Sequence, residues 1–177
     1  MSTKQMLLSG FGGQGILFAG KFLAYKGLTD GKQVSWLPSY GPEMRGGTAS
    51  CSVIISDEAV GSPIISNPDI LVAMNLPSLD KFENSVVSGG IILADSTLIE
   101  RKVLRDDVTV YYIPATRLAS ENGFPTLANM ILMGKLLEIT GGFNADDVKA
   151  TLSKVISAKR ADMLETNLKA LKLGAEF

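Results

Sequence analysis

Histidine is absent from the 177 residues, and cysteine occurs once, as Cys51. The first absence removes the commonest general base and metal ligand, so this chain alone builds neither a histidine-based triad nor a histidine zinc site. The second excludes an intramolecular disulfide and any cysteine-held metal or iron–sulfur cluster within the chain, and it points to a reducing compartment. An excess of one charge is also missing: 17 Lys and Arg stand against 18 Asp and Glu, a formal net charge of -1. The overall field therefore gives no reason to expect nucleic acid or an anionic membrane as partner. No apolar run approaches the length of a membrane span, and the opening MSTKQMLLSG holds too short an apolar segment for a signal peptide. A cytoplasmic protein without a metal site of its own is the expectation. Any chemistry is left to carboxylates, Lys, Arg, Tyr, Ser or Cys51, or to groups from outside the chain. A chain of this length buries roughly two thirds of its unfolded surface, and a single domain over 1–177 is expected.

What is present is an alternation of short apolar runs with helix-like segments. QMLLSG reads as a buried strand, followed by glycines and then by ILFAGKFLAYKGLTDG, where Leu17, Gly20, Lys21 and Ala24 share helical spacing and Gly27 or Gly31 supplies the stop. QVSWL is a second strand, closed by Pro38, and TASCSVIIS is a third, first alternating and then continuously apolar. DILVAMN and GGIILADS read as strands buried on both faces, with a short helix in PSLDKFENSV between them. VTVYYIP is a further strand, and helices are expected at about 125–140 and 145–170. The last of these carries Val148, Leu152, Val155 and Ile156 on one face, as a helix docked on the body would. The expected fold is α/β and Rossmann-like: a mainly parallel sheet flanked by helices, with an antiparallel hairpin insertion near 48–65.

GFGGQG, residues 10–15, fits the dinucleotide pattern G-x-G-x-x-G after a strand and before a helix, where free amides and a partial positive charge meet a phosphate. The acidic residue that would hold an adenosine ribose is missing from the end of the second strand, which reads Trp36-Leu37-Pro38-Ser39-Tyr40; Asp30 lies at its wrong end. Close packing with an anion-accepting loop is favoured, and a free-standing NAD or FAD site is the alternative. A second unusual stretch is PSYGPEMRGG, residues 38–47, a stiff polar loop. Glu43 and Arg45 either pair with each other, or Arg45 faces a phosphate or carboxylate with Gly46 and Gly47 allowing close approach. Both loops and MNLPS at 74–78 occupy strand carboxyl ends, where ligands gather in open parallel sheets. Asn75 and Ser78 are either ligand contacts or helix caps there. Asp95 either shares that rim or caps a helix, Cys51 reads as a buried small residue, and Asn129 bonds a neighbouring loop or an assembly partner. Met130, Met133 and Leu137 read as core or subunit contact.

Taken together, GFGGQGILFAGKFLA, WLPSYGPEMRGGTASCSVIISDEAVGSP, PDILVAMNLPSLDKFE and NMILMGKLLEITG resemble the gamma subunit of 2-oxoacid:ferredoxin oxidoreductases over about residues 5–140. After 145 the tail agrees only in being helical. The resemblance implies a multi-subunit oxidoreductase that decarboxylates a 2-oxoacid on thiamine diphosphate, passes electrons through iron–sulfur clusters to ferredoxin and releases an acyl-CoA. It implies alpha and beta partners, with a delta subunit in some members. Thiamine diphosphate and magnesium are held by alpha and beta, and the clusters by beta or delta. The gamma chain, holding no cofactor alone, lies on the coenzyme A side of the active site and helps close it. Matched by position, Gly12, Gly13, Gln14 and Gly15 form the family's glycine loop, and Tyr40, Gly41, Glu43, Arg45, Gly46 and Gly47 its second signature. The resemblance assigns no catalytic residue to this chain. With both loops beyond strand carboxyl ends, Arg45 and the loop amides are expected to hold an anionic group, a CoA phosphate above all, while Tyr40 and Glu43 order the loop against partners. A non-catalytic assembly subunit is a further alternative. The form SYGPE-x-RGG is closer to the 2-oxoglutarate or 2-oxoisovalerate branch than to pyruvate enzymes. A homodimer in isolation is expected to cover apolar surface accustomed to partners.

Overall fold

A computed structural model of the protein describes residues 2–39 and 47–177. Six strands form one sheet: β1 (Thr3–Phe11), β2 (Gln33–Ser39), β3 (Thr48–Ser56), β4 (Ile70–Ala73), β5 (Ile91–Asp95) and β6 (Thr109–Ile113). Their spatial order is β2-β3-β1-β4-β5-β6, with β1, β4, β5 and β6 paired in parallel and β3 antiparallel to both β1 and β2. The expected α/β sheet with an antiparallel insertion is therefore found, and the insertion pushes β2 out to the edge. Pro38, expected to close β2, lies inside it opposite Cys51. An edge strand tolerates a residue with no N–H because its outer side has no neighbour to bond.

The helices are α1 (Ile16–Thr29), α2 (Leu76–Phe82), α3 (Ala115–Glu121), α4 (Ala128–Ile139), α5 (Ala145–Val155) and α6 (Asp162–Glu176). Period-two alternation splits the strand side chains between two cores. Met6, Leu8, Cys51, Val53, Ile70, Val72, Leu93 and Ile113 face the larger one, with α1 and α4 to α6. Leu7, Leu71, Ala73, Ile92 and Ala94 face the smaller, closed by Leu79, Val86 and Ile99. The buried stripe of α1 runs Ile16, Ala19, Gly20, Leu23, Ala24, Gly27. Gly20 and Ala24 were expected in it, whereas Leu17 and Lys21 are only half-buried. Gly27 is packed against Val34 and Ile55 inside α1, and the stop falls at Gly31, whose φ is 74°.

The tail departs from the expected single helix. α5 ends at Val155; Ile156 and Ser157 are extended, a 3-10 turn follows, and α6 begins a new helix. Val148 and Leu152 are buried as the pattern implied, while Val155 and Ile156 are half-buried. α4 and α6 approach closely because Gly134 lies on the Leu171 carbonyl and Gly174 on the Ile131 carbonyl; a Cβ at either would overlap backbone. Among the described residues no helix is long and apolar enough to cross a membrane.

Candidate functional site at the carboxyl edge of the sheet

Strand register brings the glycine loop, Gly47 and Asn75 to one edge of the sheet. Phe11 is opposite Thr48, Ser39 opposite Ser50, and Ser9 opposite Ala73, so the ends of β1, β2 and β4 and the start of β3 share one edge. The glycine loop opens there onto a cavity of about 280 Å³ lined by Phe11, Gly12, Gly13, Gly15, Leu17, Ser39 and Thr48, among others. None of the described residues that line it carries a charge. Among the described residues, the local field comes from the amino end of α1, where no described side chain caps the helix and no acid stands in the first turn. Gly12 and Gly13 are exposed and Gly47, just before β3, is half-buried.

Two side chains build the loop from beneath. Gln14 accepts from the Phe11 amide at 2.6 Å and donates to the Met74 carbonyl at 3.1 Å, tying the end of β1 to that of β4. Both ends of its amide are thus engaged in shaping the loop. Asn129, at the start of α4, donates to the Gly15 carbonyl at 3.1 Å, which is the neighbouring-loop bond foreseen for it. Gly15 itself has φ 74°, in the left-handed region that glycine favours, and a Cβ there would meet the Asn129 amide.

Asn75 accepts from the Ser78 amide at 2.8 Å as N-cap of α2, and its own Nδ2, buried, has no partner among the described residues. The Ser78 hydroxyl bonds that of Ser9 at 2.9 Å in the sheet. Asp95 lies away from the glycine loop, accepting from Thr97 N at 3.1 Å and from Thr116 N at 3.1 Å at the start of α3. Cys51 is buried against Trp36 Nε1 at 3.0 Å, and burial pushes its thiol up to about 11. Tyr40, Gly41, Glu43, Arg45 and Gly46 lie outside the described residues.

Beside the loop, on its other flank, a second cavity of about 460 Å³ shares Gly15 and Phe18 with the first and reaches Asn129, Arg160 and Asn167. Sequence reasoning passed over Asn167 and Arg160. Asn167 is a lone amide on the apolar face of α6, the one available signal.

The arrangement also bears on the NAD or FAD alternative. In dinucleotide sites the ribose-binding acid stands at the end of the strand beside β1. Here β3 runs there in the opposite sense and presents its start, Thr48, while β2 ends one strand further out. Among the described residues no acid stands at the strand end beside β1.

Comparison with known proteins agrees with the fold and extends it. The ketoisovalerate oxidoreductase subunit VorA of Methanothermobacter thermautotrophicus is 40% identical over 96% of this chain and 35% of its own length. The 2-oxoglutarate synthase subunit KorC of Methanocaldococcus jannaschii is 40% identical over 98% of this chain and 92% of its own. The chain thus spans about a third of VorA and nearly all of KorC. A keto/oxoacid ferredoxin oxidoreductase gamma subunit from Geobacter sulfurreducens superposes with a TM-score of 0.86 at 28% identity, covering 99% of this chain and 96% of that one. The 2-oxoglutarate:ferredoxin oxidoreductase of Magnetococcus marinus, solved with 2-oxoglutarate, coenzyme A and succinyl-CoA bound, gives 0.87 at 25% identity, covering 99% of this chain and 31% of that one. The family profile runs from residue 5 to residue 177, so the likeness includes the α5–α6 tail that had agreed only in being helical. On sequence and fold together, this chain belongs to the pyruvate ferredoxin/flavodoxin oxidoreductase family.

Proposed function

We propose that this chain is the gamma subunit of a cytoplasmic 2-oxoacid:ferredoxin oxidoreductase and acts as a single gamma-type domain on the coenzyme A side of the active site. The complex converts a 2-oxoacid and CoA to an acyl-CoA and CO2, delivering the electron pair through iron–sulfur clusters to ferredoxin. Alpha and beta partners, with or without a delta chain, hold thiamine diphosphate, magnesium and the clusters. Among the described residues no group of Cys, Asp and Glu is placed to hold a metal ion.

The observation that carries the reading is the amino end of α1, free of acids in its first turn and uncapped by any described side chain, facing a cavity at the carboxyl edge of the sheet whose described lining is uncharged. Such a helix end holds phosphate through its free amides. The related Magnetococcus marinus enzyme, of similar fold over 99% of this chain, was solved with coenzyme A. In this reading Gly12, Gly13 and Gly15 line the phosphate position, Gln14 and Asn129 set the loop's shape, and Asn75 offers its unpartnered amide at the adjoining strand end. Tyr40, Gly41, Glu43, Arg45, Gly46 and Gly47 join the site on the sequence match, with Arg45 on a CoA phosphate. The names of the two relatives favour a 2-oxoglutarate or branched-chain oxoacid over pyruvate.

Co-purifying the chain with its alpha and beta partners and assaying a panel of oxoacids tests the assignment. CoA-dependent ferredoxin reduction is expected with the full complex, and Arg45→Ala is expected to raise the KM for CoA about tenfold, the loss of one charged contact. An unchanged KM would remove Arg45 from the site. Full activity in a complex lacking this chain would refute the role as a whole.

A further inference from the structure

β2 is the last strand on its side of the sheet, and among the described residues no strand pairs with its outer side. Soluble proteins commonly defend such an edge with lysine, a bulge or a covering element, because its N–H and C=O groups accept another strand. The seven residues of β2, QVSWLPS, carry no charge. Along an antiparallel pair, successive residues alternate between bonding the neighbour and turning their N–H and C=O away from it. Pro38, opposite Cys51, has no N–H to give β3 and so takes an outward-turning position. Val34 and Trp36, of the same parity, turn their amides and carbonyls outward as well. Their side chains lie on the α1 face of the sheet, Val34 against Gly27 and Trp36 against Cys51 and Gly20. Ser35 and Leu37 lie on the opposite face, beside Ile54 and Ser52. Trp36 is 39% exposed and Leu37 41%, so each face of the strand presents an apolar side chain at the edge.

We infer that β2 pairs antiparallel with β2 of a second copy of this chain, continuing the sheet across a twofold axis through Trp36. The strand itself selects this occupant. An axis through Trp36 overlaps the whole of Gln33–Ser39 with its copy. In that register the Trp36 amide of each copy donates to the Trp36 carbonyl of the other. Each outward Val34 amide meets the carbonyl of the other copy's Pro38, the one main-chain group that Pro38 has to offer. No like charges are brought together, whereas an edge bearing lysine or glutamate would repel its own copy. The two indoles form a cross-strand aromatic pair, and Leu37 covers Ser35 of the other copy on the opposite face. Gln33 of one copy comes opposite Ser39 of the other, which lines the cavity beside the glycine loop. The pairing goes beyond the coenzyme A reading and stands or falls without it.

Sedimentation of the purified full chain over a range of concentrations, read together with fluorescence, tests the pairing, because Trp36 is the only tryptophan. Mass is expected to double as Trp36 emission moves to shorter wavelength, both with one midpoint. Leu37→Lys sets two ammonium groups beside the axis and is expected to raise the dimer dissociation constant about tenfold or more, with the melting temperature of the monomer kept. Adding Ser35→Glu to it places each new carboxylate opposite the other copy's ammonium and is expected to restore most of the loss. Hydrogen exchange in the wild-type chain needs no variant to fold: the Val34 and Trp36 amides are expected to slow as concentration rises, while those of β6, at the other edge, do not. A chain that stays monomeric, or a dimer in which Trp36 emission and the Val34 and Trp36 amides are unchanged, would overturn the inference. So would a double variant no tighter than Leu37→Lys alone. Emission that shifts only when alpha and beta chains are added would give the edge to a partner's strand and refute the second copy.

Discussion

At the residue scale, the side chains that matter most around the loop are amides that shape it. Gln14 bonds a β1 amide and a β4 carbonyl, so Gln14→Leu leaves both groups without their partner. A loss of about 2 kcal/mol is expected, a melting temperature lower by roughly 4–8 °C. Scanning calorimetry of the purified chain would show it. Cys51 gives a pH dependence with a definite sign. Burial raises its thiol from 9.0 to about 11, so between those values the unfolded chain releases a proton that the folded chain retains. Stability is therefore fully present below pH 9 and falls as pH rises toward 11, by at most about 2–3 kcal/mol. Urea midpoints at pH 7, 9 and 10.5 in Cys51 and Cys51→Ser proteins check this, the drop being smaller in the variant. The sequence foretold burial of this cysteine from its place in an alternating strand. It could not foretell the Trp36 contact, because that depends on β2 lying beside β3.

At the element scale, strands were legible because their signal is local, and the exceptions have tertiary causes. β3 spans the residues its pattern marks, while β2 runs on through Pro38 because it is an edge. α3, only ATRLASE, has too few turns for a helical period to show, and it is fixed instead by Asp95, which bonds the Thr116 amide from another strand. The α5–α6 break is invisible to periodicity, since apolar residues continue at helical spacing on either side of it. The α4–α6 contact depends on Gly134 and Gly174, whose absent side chains let the backbones touch. Gly134→Ala is expected to cost about 1–3 kcal/mol through overpacking, read as an earlier thermal transition. Another staple is Glu83, 3% exposed, which accepts from Arg101 Nη2 at 2.9 Å and Nη1 at 3.2 Å and holds the stretch between β5 and β6. This pairing raises the Arg101 guanidinium above its ordinary value, with Asp80 adding to it. Glu83→Gln is expected to remove about 2 kcal/mol, since Arg101 is 28% exposed and keeps part of its hydration. Proteolysis within 96–108 should speed up accordingly.

At the scale of the whole molecule, the balance of charge, the missing histidine and the single cysteine already directed the chemistry toward partners. The exposed apolar side chains agree with such a role: Trp36 and Leu37 on the edge strand are 39% and 41% exposed, and Ile64 and Leu104 reach 69% and 80%. A chain purified alone is expected to self-associate through such surface, and to do so less when alpha and beta chains are present; size-exclusion at several concentrations reads both. The glycine loop of the candidate site was legible at the carboxyl end of β1, because the glycine pattern and the strand before it are both written locally. The second cavity was not, because it exists only where α4, α5 and α6 meet the loop. The central claim is that the amino end of α1 holds a phosphate of coenzyme A. Its most direct measurement is the KM for CoA and for the 2-oxoacid in a complex carrying Gly12→Asp, which sets a negative charge on the exposed loop. A rise of about tenfold or more in the KM for CoA, with the oxoacid KM and the melting temperature unchanged, is the expected result. An unchanged KM for CoA, or equal rises for both substrates, would contradict it.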